Sequence, residues 1–178
     1  MRPASRARAT SAHYLDALSD IGRRGLPTHL SVKLTQLGLD MSPDHAVRCT
    51  GDIAEASARI RAPVWIDMES SRYTAVTLDV FARTRAVHEN VGLCVQAYLH
   101  RTPDDLKRLS KVKPYLRLVK GAYREPPAVA IASKRDVDAN YLWLGRMMLD
   151  DRARGGSSRA VYGTHDERII AELITHAR

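Results

Sequence analysis

Six polar side chains, five of them ionisable, stand where apolar runs end: Lys33, Asp67, Gln96, Arg117, Lys120 and His165. Each run starts with strand-forming residues and finishes with groups that are costly to bury unpaired. The first finishes with Lys33, Thr35 and Gln36, the second with Asp67 and Glu69, and the third with Gln96 and Tyr98. The fourth carries Arg117 and Lys120, followed by Gly121, Ala122 and Tyr123, and the fifth ends in Thr164, His165 and Asp166. Cations of this kind bind an anionic ligand or stabilise negative charge that develops during a reaction, while a carboxylate keeps them in place. Asp67 has Lys33 or Arg117 as its obvious partner, since a charge on a buried strand must be paired. A purely structural ion-pair network is the competing explanation for any one of these residues. Five runs ending in the same way favour a site.

The elements that must position them alternate. Ser11 to Arg24 reads as an amphipathic helix closed by Gly25 and Pro27, with Tyr14, Leu15, Leu18 and Ile21 at helical spacing. HLSVKLTQ is a strand, Asp44 to Arg61 a helix, VWIDM a strand and Arg72 to Glu89 a helix. GLCVQAY, YLRLVK and RAVYGTH are further strands, separated by helices over Asp104 to Lys111 and Asp136 to Arg154, and a last helix starts at Glu167. Strands alternating with helices imply parallel βαβ units. Neither G-x-G-x-x-G nor a Walker sequence occurs, and Gly155 to Ser158 is a helix-to-strand loop, which lowers an open nucleotide-binding sheet in favour of a barrel. In a parallel barrel the carboxyl ends of all strands face one mouth, so the six residues are expected to converge there. Within RLVK, alternation points Arg117 and Val119 one way and Leu118 and Lys120 the other, while Trp65 and Asp67 share a face.

Composition narrows the function classes. The 178 residues are 44% hydrophobic and 27% charged, and no apolar run nears the length of a membrane-spanning helix. The Arg-rich start lacks the apolar stretch of a secretory signal, although it could pass for a transit peptide on composition alone. A net charge of +8 admits nucleic acid, anionic lipid or a phosphate-bearing cofactor as partners. The denser patches, Arg2 to Arg8, Lys107 to Lys113 and Arg152 to Arg159, lack interleaved aromatics, so they read as solvated faces and no nucleic-acid partner is expected. Cys49 and Cys94 make no disulfide framework, and no zinc-type spacing of His or Cys appears. Tyr141 and Trp143 read as packing residues of a helix, and His165 on its own could equally be a capping or core histidine.

SVKLTQLGLD, VWIDME, GLCVQAYLHRT, YLRLVKGAYREP, SKRDVDANYLWLG and YGTHDERIIAEL together resemble successive motifs of monofunctional bacterial proline dehydrogenases. The resemblance runs from about Thr10 to the end; Met1 to Ala9 match nothing and form a separate basic segment ahead of a partial barrel domain over 10–178. It implies an α/β fold, a (β/α)8 TIM-like barrel of the FAD-linked oxidoreductase type with about five βα units present. It also implies oxidation of L-proline to 1-pyrroline-5-carboxylate, the first step of proline degradation to glutamate. FAD would be the hydride acceptor and a membrane quinone the electron acceptor. By the same resemblance Lys33 meets the proline carboxylate, Tyr123 faces the substrate, and Asp67 keeps nearby cations in place. Met68, Gln96, Arg117, Lys120, Gly121, Ala122, Thr164 and His165 are the implied cofactor contacts, with Arg117 near the flavin N5. A cytoplasmic enzyme touching the inner face of the membrane peripherally is the implied location.

Two departures and one gap accompany the resemblance. Glu69-Ser70-Ser71 replaces a more acidic stretch, and Tyr162-Gly163 stands where small aliphatic residues are usual, so the tyrosine is expected to disturb packing. In the family a later helix carries an R-x-x-x-R pair that clamps the proline carboxylate, and no such pair follows the fifth strand here. A catalytically inactive fragment of the enzyme is therefore the alternative expectation.

Overall fold

The computed structural model describes residues 3–156 and 159–178; Met1 and Arg2, at the head of the first basic segment, and Ser157 and Ser158 of the glycine loop lie outside them. The chain divides into two compact units, Met1–Leu93 and Cys94–Arg178.

The first unit opens with helix α1, Pro3–Arg24, which starts earlier than its apolar spacing indicates. Proline suits a first helical turn, and the alanines and arginines that follow are good helix formers even where the apolar stripe is thin. Strand β1 is only Leu30–Val32, shorter than expected, because the backbone tightens into a 3-10 turn at Leu34–Leu37. Leu34 and Leu37 lie three apart, a spacing that stacks them on one side of such a turn, and both are buried. Helix α2, Pro43–Arg59, is capped by the Ser42 hydroxyl, which accepts from His45 N at 3.4 Å, and buries Ala46, Cys49, Thr50, Ile53, Ala54 and Ser57 along one stripe. Strand β2, Val64–Ile66, is buried throughout. A 3-10 turn at Ser71–Tyr73 leads into helix α3, Thr74–Arg85, after which turns deliver the chain to strand β3, Val91–Gln96. Val32↔Ile66 and Ile66↔Leu93 are rungs of the parallel pairings of β1 with β2 and β2 with β3.

The division between the units falls inside β3. In the second unit the end of that strand leads to helix α4, Thr102–Leu109, strand β4, Tyr115–Val119, helix α5, Lys134–Ala153, strand β5, Arg159–Gly163, and helix α6, Glu167–His176. Ala97 N–H donates to Val119 O at 2.8 Å and Tyr98 N–H to Lys120 O at 2.9 Å, so the chain leaving β3 runs along the end of β4. The pairing of β4 with β5 is parallel, with Arg117 opposite Val161. Along β4, Leu116 and Leu118 are buried while Tyr115, Arg117 and Val119 are half-buried, the alternation that the strand's sequence predicts. Strands follow one another across the sheet in chain order, and each is succeeded by a helix, giving five βα units of the expected class.

Two packing expectations are corrected. Tyr162 does not disturb its strand: its hydroxyl donates to Gly145 O at 3.1 Å, and the residue is half-buried. Of the two aromatics in α5, Tyr141 is fully buried and donates to Leu118 O at 3.1 Å, but Trp143 is 51% exposed and packs into no core. Helical geometry separates them, because residues two apart point about 200° around the axis from each other. Cys49 and Cys94 are both buried and form no disulfide with each other. No helix among the described residues is long and apolar enough to cross a membrane.

Candidate active site

In the first unit, the carboxyl ends of β1 and β2 carry two side-chain bridges. Lys33 Nζ donates to Asp67 Oδ2 at 2.9 Å, so of the two partners available to Asp67 in the sequence, Lys33 is the one it takes in this unit. Two residues further on, both Thr35 N–H and its hydroxyl donate to the Glu69 carboxylate, at 3.1 and 2.6 Å. Met68, between the two acids, is buried. From α1, Tyr14 donates to Gln36 Oε1 at 3.1 Å, and burial raises its hydroxyl above the ordinary tyrosine value.

The second unit holds the remaining candidates. Gln96 is buried at the end of β3, and Thr102 donates to its backbone oxygen at 2.6 Å. Arg117, half-buried on β4, donates from Nε to Cys94 Sγ at 2.8 Å. Lys120 bridges two helices: its ammonium lies 2.5 Å from Asp138 Oδ1 on α5 and 3.2 Å from Asp166 Oδ2 at the start of α6. Burial opposes the Lys120 charge, yet its bonds to Asp138 and Asp166 prevail and raise its pKa above the usual lysine value. Conversely, Lys120 first and Lys134 second hold Asp138 below the usual carboxylate value. Lys120 and then the Ile169 amide do the same for Asp166, which also caps α6 through Ile169 N–H at 3.3 Å.

After Lys120 the backbone turns through Gly121 at φ +124, and a Cβ there would lie 2.2 Å from the Tyr98 ring. Only glycine allows both the conformation and the approach. Ala122 and Tyr123 are exposed. Thr164 Oγ1 accepts from Asp166 N–H at 3.1 Å, and His165 is exposed beside it. Sequence reasoning missed Asp138, Cys94 and the Thr35–Glu69 bridge. Asp138 did leave a signal: it falls in phase with buried Tyr141, Leu144, Gly145 and Met148, so it is a charge on the apolar stripe of α5.

A family model described as proline dehydrogenase matches residues 2–178. The chain belongs to the proline dehydrogenase family. Proline dehydrogenase 2 of Bacillus subtilis is 37% identical over 164 residues, covering 92% of this chain and 52% of that protein. A Deinococcus radiodurans proline dehydrogenase is 34% identical over 155 residues, 84% of this chain and 48% of that one. The chain thus spans about half the length of these relatives. Among solved structures, proline utilization A from Bdellovibrio bacteriovorus superposes with a TM-score of 0.85 over 97% of this chain and 22% of its own, at 22% identity. A variant of the Bradyrhizobium japonicum protein of the same name gives 0.85 over 99% and 21%, at 24% identity. At these identities the superpositions establish the fold, which is the one this family member was expected to have.

Proposed function

We propose that this family member oxidises L-proline to 1-pyrroline-5-carboxylate, with FAD as the hydride acceptor and a membrane quinone as the final electron acceptor. The observation that carries the reading is the Lys33–Asp67 pair at the adjoining ends of β1 and β2, in a chain matched by the proline dehydrogenase model over residues 2–178. A lysine held by a carboxylate and still 42% exposed at its side chain keeps N–H donors to offer the substrate's carboxylate. Asp67 orients the ammonium. Tyr123, exposed beyond β4, is proposed as a wall of the substrate site.

The donor chemistry suits a flavin. Gln96 offers an amide with a donor and an acceptor, and Arg117 a guanidinium steadied by Cys94, the groups needed along the polar edge of an isoalloxazine ring. FAD, when bound, supplies the acceptor for the hydride lost from the ring carbon next to the proline nitrogen. Arg117 then provides fixed positive charge where negative charge accumulates. Met68, Gly121, Ala122, Thr164 and His165 complete the proposed cofactor contacts. Lys120 shares its ammonium between Asp138 and Asp166, so its proposed contribution comes through the backbone of the Lys120–Ala122 stretch. The enzyme is placed in the cytoplasm, meeting its quinone at the inner membrane face.

Purification after reconstitution with FAD tests the reading. Yellow protein that reduces a dye only when proline is present, and loses that activity in Lys33→Met, is the expected result. Colourless protein with no proline-dependent reduction overturns it and leaves a chain that shares the fold without the turnover.

A further inference from the structure

Lys33 stands immediately before the 3-10 turn Leu34–Leu37, in extended conformation at φ −105 and ψ 124, and its side chain makes no capping bond. A residue there ordinarily offers an oxygen to the first free N–H groups of the turn. Lysine has only donors to offer. The acceptor comes instead from the neighbouring strand end, where Glu69 Oε1 takes Thr35 N–H and Oε2 takes the Thr35 hydroxyl. Glu69 is 8% exposed, and a carboxylate so buried is tolerated only when both oxygens are satisfied.

The placement follows from register. Strands β1 and β2 pair residues 34 apart, and the ladder continues to Asp67 N–H, which donates to Val32 O at 2.9 Å. Beyond that bond the same separation persists in side chains, as Lys33 with Asp67 and then Thr35 with Glu69. The first bridge is partly open to solvent, with side-chain exposures of 42% and 23%; in the second, Glu69 is buried and Thr35 half-buried. We propose that Glu69 is a positioning residue: it caps the turn that Lys33 cannot cap, and so fixes the backbone from which the Lys33 ammonium is presented. The inference rests on the reading that Lys33 meets the proline carboxylate.

Glu69→Ala, Glu69→Gln, Thr35→Val and Thr35→Ser variants of the 178-residue chain test it by two routes. In flavin-free protein the two Hε protons of Lys33, assigned through Lys33→Arg, resolve by NMR when the side chain is held and coincide when it is averaged. In reconstituted protein, KM and kcat for proline are read by dye reduction. Thr35→Ser should match the parent in both. Thr35→Val and Glu69→Gln should narrow the Hε separation, and Glu69→Ala should abolish it. In Glu69→Ala the KM should rise on the order of tenfold or more with a smaller change in kcat, because a displaced lysine weakens binding ahead of chemistry. Should Glu69→Ala not fold, Glu69→Gln and Thr35→Val still report. Folded variants whose Lys33 signals are unchanged overturn the role of Glu69. A chain that oxidises no proline while its lysine signals move as described overturns the proposed function instead and leaves the positioning role standing.

Discussion

In the proposed function Lys33 meets the substrate carboxylate, and a flexible ammonium does so productively only when Asp67 has already ordered it. Asp67→Asn keeps an acceptor for the 2.9 Å bond but removes the charge that orients it. We expect kcat/KM for proline to fall on the order of tenfold to a hundredfold in reconstituted enzyme, measured by steady-state dye reduction. The Lys120 cluster answers a different question, that of stability. Asp138 is 5% exposed at its side chain and holds Lys120 from the core side, whereas its other partner, Lys134, is 81% exposed and contributes little. Asp138→Asn leaves Lys120 with Asp166 as its carboxylate partner and should cost about 2 kcal/mol in urea denaturation. The sign with pH follows from the shifts. Asp138 and Asp166 have folded values below the usual 3.8, so their stabilisation is complete above that value and is lost as pH falls through the depressed ones. Lys120, raised above 10.5, gives up its share only as pH climbs through its own folded value. Urea midpoints should therefore drop steeply below about pH 4 in the parent and less steeply in Asp138→Asn.

Between elements, two glycines govern how closely the chain packs. Gly121→Ala would force a Cβ into the Tyr98 ring at a backbone angle that side chains avoid, and should destabilise by about 2 kcal/mol or more. Shortening Tyr98 to Ala removes half of that conflict, so the double variant should lose less than the sum of the two single ones in thermal melts. A second close approach joins α5, β5 and α6: a Cβ on Gly145 would come within 2.8 Å of Leu173 Cδ2 and 3.4 Å of Tyr162 Cε1. Tyr162→Phe gives up only the bond to Gly145 O, about 1 kcal/mol, whereas Gly145→Val pushes α6 away and should cost several times as much. Burial pushes the Tyr162 hydroxyl up to about 12, so that bond persists through the alkaline range used for such melts. Gly145 and Tyr162 are 17 residues apart, and no local pattern links them. That is why the strand's tyrosine reads as an intrusion in sequence and proves to be accommodated in space.

At the scale of the molecule, the alternation of strands and helices was readable because each element carries its own period and its own punctuation. Ser42, Ser133 and Asp166 cap α2, α5 and α6, and the apolar stripes behind them are regular. The polar strand ends were readable too, since Lys33, Asp67, Arg117 and Lys120 interrupt runs that are otherwise apolar. Their partners were less so: Asp138 and Cys94 engage Lys120 and Arg117 across 18 and 23 positions, which only the fold brings together. Local stability should follow burial in the same way. All six residues of β3 are buried and the strand has neighbours on both sides, whereas β5 comes last in the strand order and its residues are half-buried or exposed. Amides with little burial exchange through small local openings, while those in a covered strand wait for larger ones. Native-state hydrogen exchange should accordingly be slowest across Val91–Gln96 and faster at Arg159–Gly163. Equal protection in the two strands would mean that β5 opens only together with the core.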